Sequence, residues 1–439
     1  MPEYEIQVPS YRAAALTAEE RTRLLARPIQ NTQKIRTIVQ PIIEDVKSRG
    51  EAALIDYASK FEKVQLKSAV LKAPFDDDLM KISPRIKEDI DIAFNNIFAF
   101  HSSQLRPTIA VQTMRGVVCQ RMSRPINRVG LYIPGGTAVL PSTALMLGVP
   151  AKVAGCPHVV ISTPVRKDGT VAPEIVYIAN KIGAEAIILA GGAQAIAAMA
   201  YGISGVPKVN KIFGPGNQFV TAAKMHVQND YGALVAIDLP AGPSEVLVIA
   251  DETCNPESVA LDLLSQAEHG LDSQIILLTV SLSPEMFDRI QKAINDHALR
   301  LSRSYIIKHA IKKSVIVQVD NVDQAFEWSN LYGPEHLVLH LKNASSYIPK
   351  IDNAGSVFVG PWSPVSMGDY ASGTNHTLPT YGYASSYSGV STDSFLKYIT
   401  TQELTEEGIQ RLGPTVIRLA ELEGLTAHAD AVRVRGVRL

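Results

Sequence analysis

Ser265-Gln266-Ala267-Glu268-His269-Gly270 reads as the closing turn of a helix that carries a metal site. Asn255 is a natural N-cap, Pro256 fits the first helical position, and Glu257 suits the positive end of the helix dipole. Val259, Leu263 and Leu264 make an apolar stripe, and Gly270 supplies the stop. Gln266 and His269 are three apart and share one face. They sit where exposed carbonyls favour a cation. Such a pair is ordinarily solvated or hydrogen-bonded, so its weight comes from the rest of the chain.

A second constellation is Gly333-Pro334-Glu335-His336, a proline turn that delivers an acid and a base to the start of an apolar strand over 337–339. Strand ends are where α/β folds bind ligands. Glycine turns recur at Gly135-Gly136, Gly191-Gly192 and Gly214-Pro215-Gly216-Asn217, each between a strand and a helix. They put backbone N–H groups at helix N-termini, where phosphate or other polar groups bind. The last is not a dinucleotide fingerprint, because Phe219 stands where the third glycine belongs. Residues 361–392, rich in Ser, Gly and Tyr, break the regular pattern and hold Asp369 and His376. So long an irregular stretch is usually functional or disordered, and the Gly-Asp-Tyr-Ala-Ser-Gly-Thr-Asn-His run favours an ordered site.

Other residues carry less. Tyr177-x-x-x-Lys181 mimics a short-chain dehydrogenase pair, but no glycine-rich fingerprint precedes it at the N-terminus and the chain is too long. His158, His226, His297, His309 and His340 have no evident partners and read as structural or surface residues. Cys119, Cys156 and Cys254 lack activating neighbours and read as structural thiols.

The elements that must position these residues follow from periodicity. Residues 1–110 are mostly helical in pattern, with long segments over 31–61 and 84–104, and a short strand follows near 116–120. From Arg128, short apolar runs alternate with helices: strands over 128–134, 158–163, 186–190 and 211–214. The alternation restarts after Gly242-Pro243 with strands over 245–250 and 274–280 and continues to Val359. This is a parallel α/β pattern met twice, as an old duplication would leave it. The tail from Leu404 is helical in pattern and ends in a basic segment.

The 439 residues suffice for two or more domains, and 46% hydrophobic with 19% charged content is globular. A net charge of -1 gives no reason to expect nucleic acid or an anionic membrane as partner. Three cysteines cannot form a disulfide framework and fit a reducing compartment. The N-terminus shows no signal peptide, and the most apolar window, 138–156, contains Pro141, Pro150 and Lys152 and reads as buried helix.

Eight segments together resemble the histidinol dehydrogenase family, in that family's order. They are Leu131-Tyr-Ile-Pro-Gly-Gly-Thr137, Ala190-Gly-Gly-Ala-Gln194, Phe213-Gly-Pro-Gly-Asn217, Ala241-Gly-Pro-Ser-Glu245, Leu264-Ser-Gln-Ala-Glu-His269, Gly333-Pro-Glu-His336, Gly368-Asp-Tyr-Ala-Ser-Gly-Thr-Asn-His376 and Glu423-Gly-Leu-Thr-Ala-His428. The resemblance covers about residues 30 to 435, with no departure at a functional position.

The resemblance implies a homodimer with a shared active site, and the cysteine usage leads us to expect it in the cytoplasm. It would use zinc, one per subunit, and NAD to oxidise L-histidinol to L-histidine through L-histidinal. Gln266, His269, Asp369 and His428 would ligate the zinc and bind substrate through it. Ser244, His336 and Glu423 would contact substrate, Glu335 and His336 would do the acid-base chemistry, and Tyr132, Gln194 and Asn217 would contact NAD. One carboxylate and two imidazoles suit zinc, and a Gln carbonyl is a weak fourth ligand that leaves room for substrate.

The expected fold is two incomplete Rossmann-like parallel α/β domains with helical ends. The expected division is a helical segment 1–28, a substrate and zinc domain of 29–130 plus 245–391, an NAD domain 131–244, and a helical tail 392–439. A relative acting on another amino alcohol or diol, a zinc amidohydrolase, and a catalytically silent binding protein are the competing readings. The presence of both Glu335 and His336 argues against the last.

Overall fold

Strands such as Glu245–Asp251 and Gln274–Val280 are apolar over 246–250 and 275–278 and buried along almost their whole length. Only a parallel sheet with helices on both faces hides strands so completely. The computed structural model describes residues 4–27, 32–135, 139–240 and 242–437. Gly136 and Thr137 of the first glycine turn, and Ala241, lie outside these.

Two six-stranded sheets carry the chain. In the first the order is Val70–Lys72, Ala186–Leu189, His158–Thr163, Arg128–Tyr132, Lys211–Phe213, Ala236–Ile237. Only Val70–Lys72 runs antiparallel to its neighbour. In the second the order is Ser10–Arg12, Val315–Val319, Gln274–Val280, Glu245–Asp251, His336–His340, Ser356–Val359, all parallel. Setting aside the edge strand each sheet takes from the N-terminal region, both share one order: third, second, first, fourth, fifth. That common order is what a duplicated α/β unit would leave behind. A three-stranded antiparallel sheet joins Leu396–Leu404, Val117–Pro125 and Ile109–Met114.

Three expectations need correction. Residues 32–102 pack on the first sheet, not with residues 245–391. Val70–Lys72 pairs with Ala186–Leu189, and the helix Thr32–Arg49 buries Ile35, Val39, Ile43 and Val46 in that unit's core. The helix Pro84–Ser102 likewise buries Ile90, Ala93, Phe94 and Ile97 there. The N-terminal segment is not purely helical, since Ser10–Arg12 forms an edge strand of the second sheet. The tail is not purely helical: after the short 3-10 helix Thr392–Phe395 it runs as the nine-residue strand Leu396–Leu404 before its helices Glu406–Leu422 and Thr426–Arg433. The tail helices pack mainly on each other, around Ile417, Ala420, Ala429 and Val437. No described helix is long and apolar enough to cross a membrane.

Candidate active site

A cleft of about 1470 Å³ separates the two sheets, and they present opposite edges to it. The first sheet gives its carboxyl edge: Tyr132 ends a strand, and Asn217 caps the helix Gln218–Gln228 after another. The second sheet gives its amino edge: Ser244 precedes the strand Glu245–Asp251, and Glu335 precedes His336–His340. In a βαβ unit helices run against the strands. The first wall therefore offers helix N-termini, which favour anions, and the second offers helix C-termini, which favour cations. The rule that ligands sit outside carboxyl ends describes only half of this cleft.

The helix Pro256–Ala267 forms as expected. Asn255 accepts hydrogen bonds from the backbone of Glu257 and Ser258, and Val259, Leu263 and Leu264 are fully buried. Its C-terminal turn brings Gln266 and His269 to the cleft. Asp369 reaches them from the short helix Val365–Tyr370, which forms within the stretch that lacks regular periodicity. Gln266 Nε2 donates to Asp369 Oδ2 at 3.3 Å, while Gln266 Oε1 is buried without a partner among the described residues. Burial pushes the His269 pKa down, so its imidazole is neutral and able to ligate.

His336 sits at the centre. Its Nδ1 lies 3.2 Å from the Glu245 carbonyl, an acceptor only, so that nitrogen carries a proton. Its Nε2 lies 3.2 Å from Asp369 Oδ1. Glu335 Oε2 accepts from the Glu245 N–H at 2.9 Å and stands 3.4 Å from His336 Nδ1. Burial works to lower the His336 pKa, but Glu335 and Asp369 outweigh it and hold it well above the ordinary value. Burial tends to raise Asp369, but His336 more than offsets this and keeps its carboxyl low.

His376, which the sequence pointed to only as part of an ordered run, also lines the cleft. Its Nδ1 donates to the Asp369 carbonyl at 2.8 Å, and the Thr143 hydroxyl lies 3.2 Å from its Nε2. Thr143 belongs to the helix Pro141–Ala154 of the first sheet's unit, so His376 links the two walls. Burial holds its pKa down.

Not every expected residue converges. Tyr132 and Asn217 line the cleft, but Gln194 is buried in the helix Gly192–Tyr201 and does not. The Gly192 N–H is already engaged, by the Tyr132 hydroxyl at 3.1 Å. Glu423 and His428 are exposed on the tail helices, away from the cleft of their own chain. Among the described residues no three His, Cys, Asp or Glu side chains of one chain gather as a metal site. The three cysteines are outside the cleft, and burial pushes Cys156 up to about 12 and Cys254 up to about 11.

The discounted residues have structural partners. Tyr177 donates to Asp91, which also pairs with Lys181. His158, His297 and His340, expected to be unpartnered, pair with Glu185, Glu257 and Asp262.

A family model for histidinol dehydrogenase matches residues 25–436. The chain is 54% identical over 437 residues to the histidine biosynthesis trifunctional protein of Komagataella pastoris, covering 100% of this chain and 52% of that protein. It thus spans about half the length of such fungal relatives. It is 52% identical to the chloroplastic histidinol dehydrogenase of Oryza sativa subsp. japonica, covering 97% of this chain and 89% of that one. A crystal structure of histidinol dehydrogenase from Elizabethkingia anophelis superposes with a TM-score of 0.93 at 46% identity, covering 99% of each chain. The chain therefore belongs to the histidinol dehydrogenase family of oxidoreductases.

Proposed function

We propose that this chain oxidises L-histidinol to L-histidine through L-histidinal, with one zinc ion per subunit and two NAD reduced per turnover. The observation that carries the reading is the unpartnered, buried Gln266 Oε1 beside Asp369 and a neutral His269, next to the Glu335–His336 pair. A buried carbonyl oxygen that no protein donor reaches fits the role of a metal ligand. When bound, zinc orients the substrate and NAD accepts the hydride in each oxidation.

His336 holds the reacting proton. Its Nδ1–H is committed to the Glu245 carbonyl, which leaves Nε2 to take the alcohol proton. With Asp369 engaged by a cation, His336 keeps only Glu335 as an anionic partner, which brings it back toward use as a base. Glu335 is fixed through Oε2, so its other oxygen is the one available to activate water. That water adds to the aldehyde, and the hydrate is the second substrate. No cysteine lies in the cleft to offer the thiohemiacetal route.

On this reading Tyr132, Asn217 and Gln194 serve NAD. Ser244 contacts the substrate together with the zinc ligands. Gln194 would need the Gly191-Gly192 turn to shift before reaching a ligand. A second copy of the chain would supply Glu423 and His428, making the enzyme a homodimer with no nucleic acid or membrane partner. The three free cysteines favour a reducing compartment, and we propose the cytoplasm. The test is NADH formation with L-histidinol against a panel of amino alcohols and diols. Turnover of another alcohol in preference would move the substrate, and turnover of an amide without NADH would overturn the reaction class.

A further inference from the structure

Glu245 holds both members of the candidate catalytic pair through its backbone. Its N–H donates to Glu335 Oε2 at 2.9 Å, and its C=O accepts from His336 Nδ1 at 3.2 Å. Its side chain is buried behind this backbone, against Arg27 and Tyr332, which themselves reach the cleft wall. There Arg27 Nε donates to Glu245 Oε2 at 2.7 Å and Nη2 reaches Oε1 at 3.3 Å. The Tyr332 hydroxyl lies 2.7 Å from the same Oε2 and 2.8 Å from Gln274 Oε1.

Arg27 does more than neutralise Glu245. Its Nη2 also donates to the Tyr332 carbonyl at 2.7 Å and the Gly333 carbonyl at 3.3 Å. Its guanidinium lies 3.8 Å above the Tyr332 ring. Gly333 ends the helix Val322–Tyr332 in the left-handed region at φ 60°, so the chain turns sharply there into Pro334, Glu335 and His336. One guanidinium from the N-terminal segment thus staples two strand-end segments, one carrying Ser244 and Glu245, the other Glu335 and His336. Lysine could not reproduce this fork of contacts.

We propose that Arg27 is a positioning residue for the oxidation, acting through Glu245 to fix Glu335 and His336. The inference rests on the roles given above to that pair. The experiment uses the zinc-loaded full chain with Arg27→Met and Arg27→Lys. Turnover in Arg27→Met falls about 10- to 100-fold, the scale set by a misplaced reacting group, while KM for NAD and zinc content stay unchanged. Arg27→Lys recovers only part of the loss.

Amide exchange at Glu245 gives a readout independent of substrate. It quickens in Arg27→Met, because the bond to Glu335 loosens. Wild-type turnover with histidinol separates failure of the functional reading from failure of this one, and the exchange comparison decides the latter in either case. Unchanged turnover and unchanged Glu245 exchange, with only a lower melting temperature, overturn the proposal. If Arg27→Met does not fold, Tyr332→Phe removes just the hydroxyl from Glu245. It should lower turnover less steeply at constant KM, and unchanged turnover there overturns the proposal.

Discussion

Gln266 Nε2 donates to Asp369 Oδ2 at 3.3 Å, and this bond leaves Gln266 Oε1 buried where no described residue donates to it. A buried acceptor left unpaired costs about 1–3 kcal/mol. A cation held by Oε1, Asp369 and His269 would remove that cost and add its own binding energy. Zinc should therefore raise the unfolding free energy, by ~2.7 kcal/mol at a hundredfold excess over its Kd. Thermal unfolding with and without zinc measures this. Asp369→Asn should abolish most of the shift. A chelated protein with an unmoved melting temperature and full activity would sink the zinc assignment.

A second expectation concerns the exposed tail. Glu423 and His428 lie on helices that pack mostly on each other and are tied to the body through the Leu396–Leu404 strand. On the function proposed above, side chains so placed would serve the cleft of a second copy of the chain. Chains carrying His428→Ala and chains carrying His269→Ala should each be inactive alone. Mixed and re-annealed, they should regain activity in heterodimers, which retain one intact site. If heterodimers form and stay inactive, the tail serves its own subunit.

Much of this architecture is local and could be read from the chain. The helix Pro256–Ala267 announces itself by Asn255 and Pro256, and the strands His158–Thr163 and Gln274–Val280 hold the apolar runs 159–161 and 275–278. What escaped is non-local. Nothing in the periodicity of Thr32–Arg49 says which sheet its stripe of Val39, Ile43 and Val46 will cover. Leu396–Leu404 is exposed along nearly its whole length, so it has no apolar alternation to betray a strand. Asp369, His376 and Arg27 sit in short or irregular segments, and only the folded chain brings them to the cleft.

The turn at Gly214-Pro215-Gly216-Asn217 has its own buried support. Lys224 and Asp238 form an ion pair with side chains only 3% and 1% exposed. Lys224 donates to the Gly214 carbonyl at 2.9 Å, and Asp238 accepts from the Gly214 N–H at 2.7 Å. Gly214 itself sits at φ 128°, against the Tyr132 carbonyl, where no side chain fits. Lys224→Met leaves Asp238 charged and buried without its counter-ion. It should destabilise the protein by roughly 3–5 kcal/mol, measured by denaturant unfolding. It should also raise KM for NAD in whatever folded fraction remains. A loss of stability below 1 kcal/mol, in units where surface pairs contribute about that much or less, would show the pair to be dispensable.

The last expectation separates the two oxidations. Glu335 and His336 are adjacent in sequence but held differently: Glu335 is bonded through one oxygen to the Glu245 N–H, and His336 through Nδ1 to the Glu245 carbonyl. That leaves the second Glu335 oxygen and His336 Nε2, which faces Asp369 Oδ1 at 3.2 Å, as the positions for proton transfer. An alcohol and an aldehyde hydrate both lose a hydroxyl proton as hydride leaves, so both steps need His336. Only the aldehyde must first add water, so only that half needs Glu335 as the group that takes the water's proton. Acid-base help of this kind is typically worth ~100- to 10,000-fold. Glu335→Gln keeps an acceptor for the Glu245 N–H but loses the base. It should slow single-turnover oxidation of histidinal far more than that of histidinol. His336→Asn should slow both halves within that range. Equal losses in the two halves for Glu335→Gln would refute the division of labour. A Cys156→Ala variant that keeps its fold and zinc yet loses the second oxidation would return the reaction to a thiol.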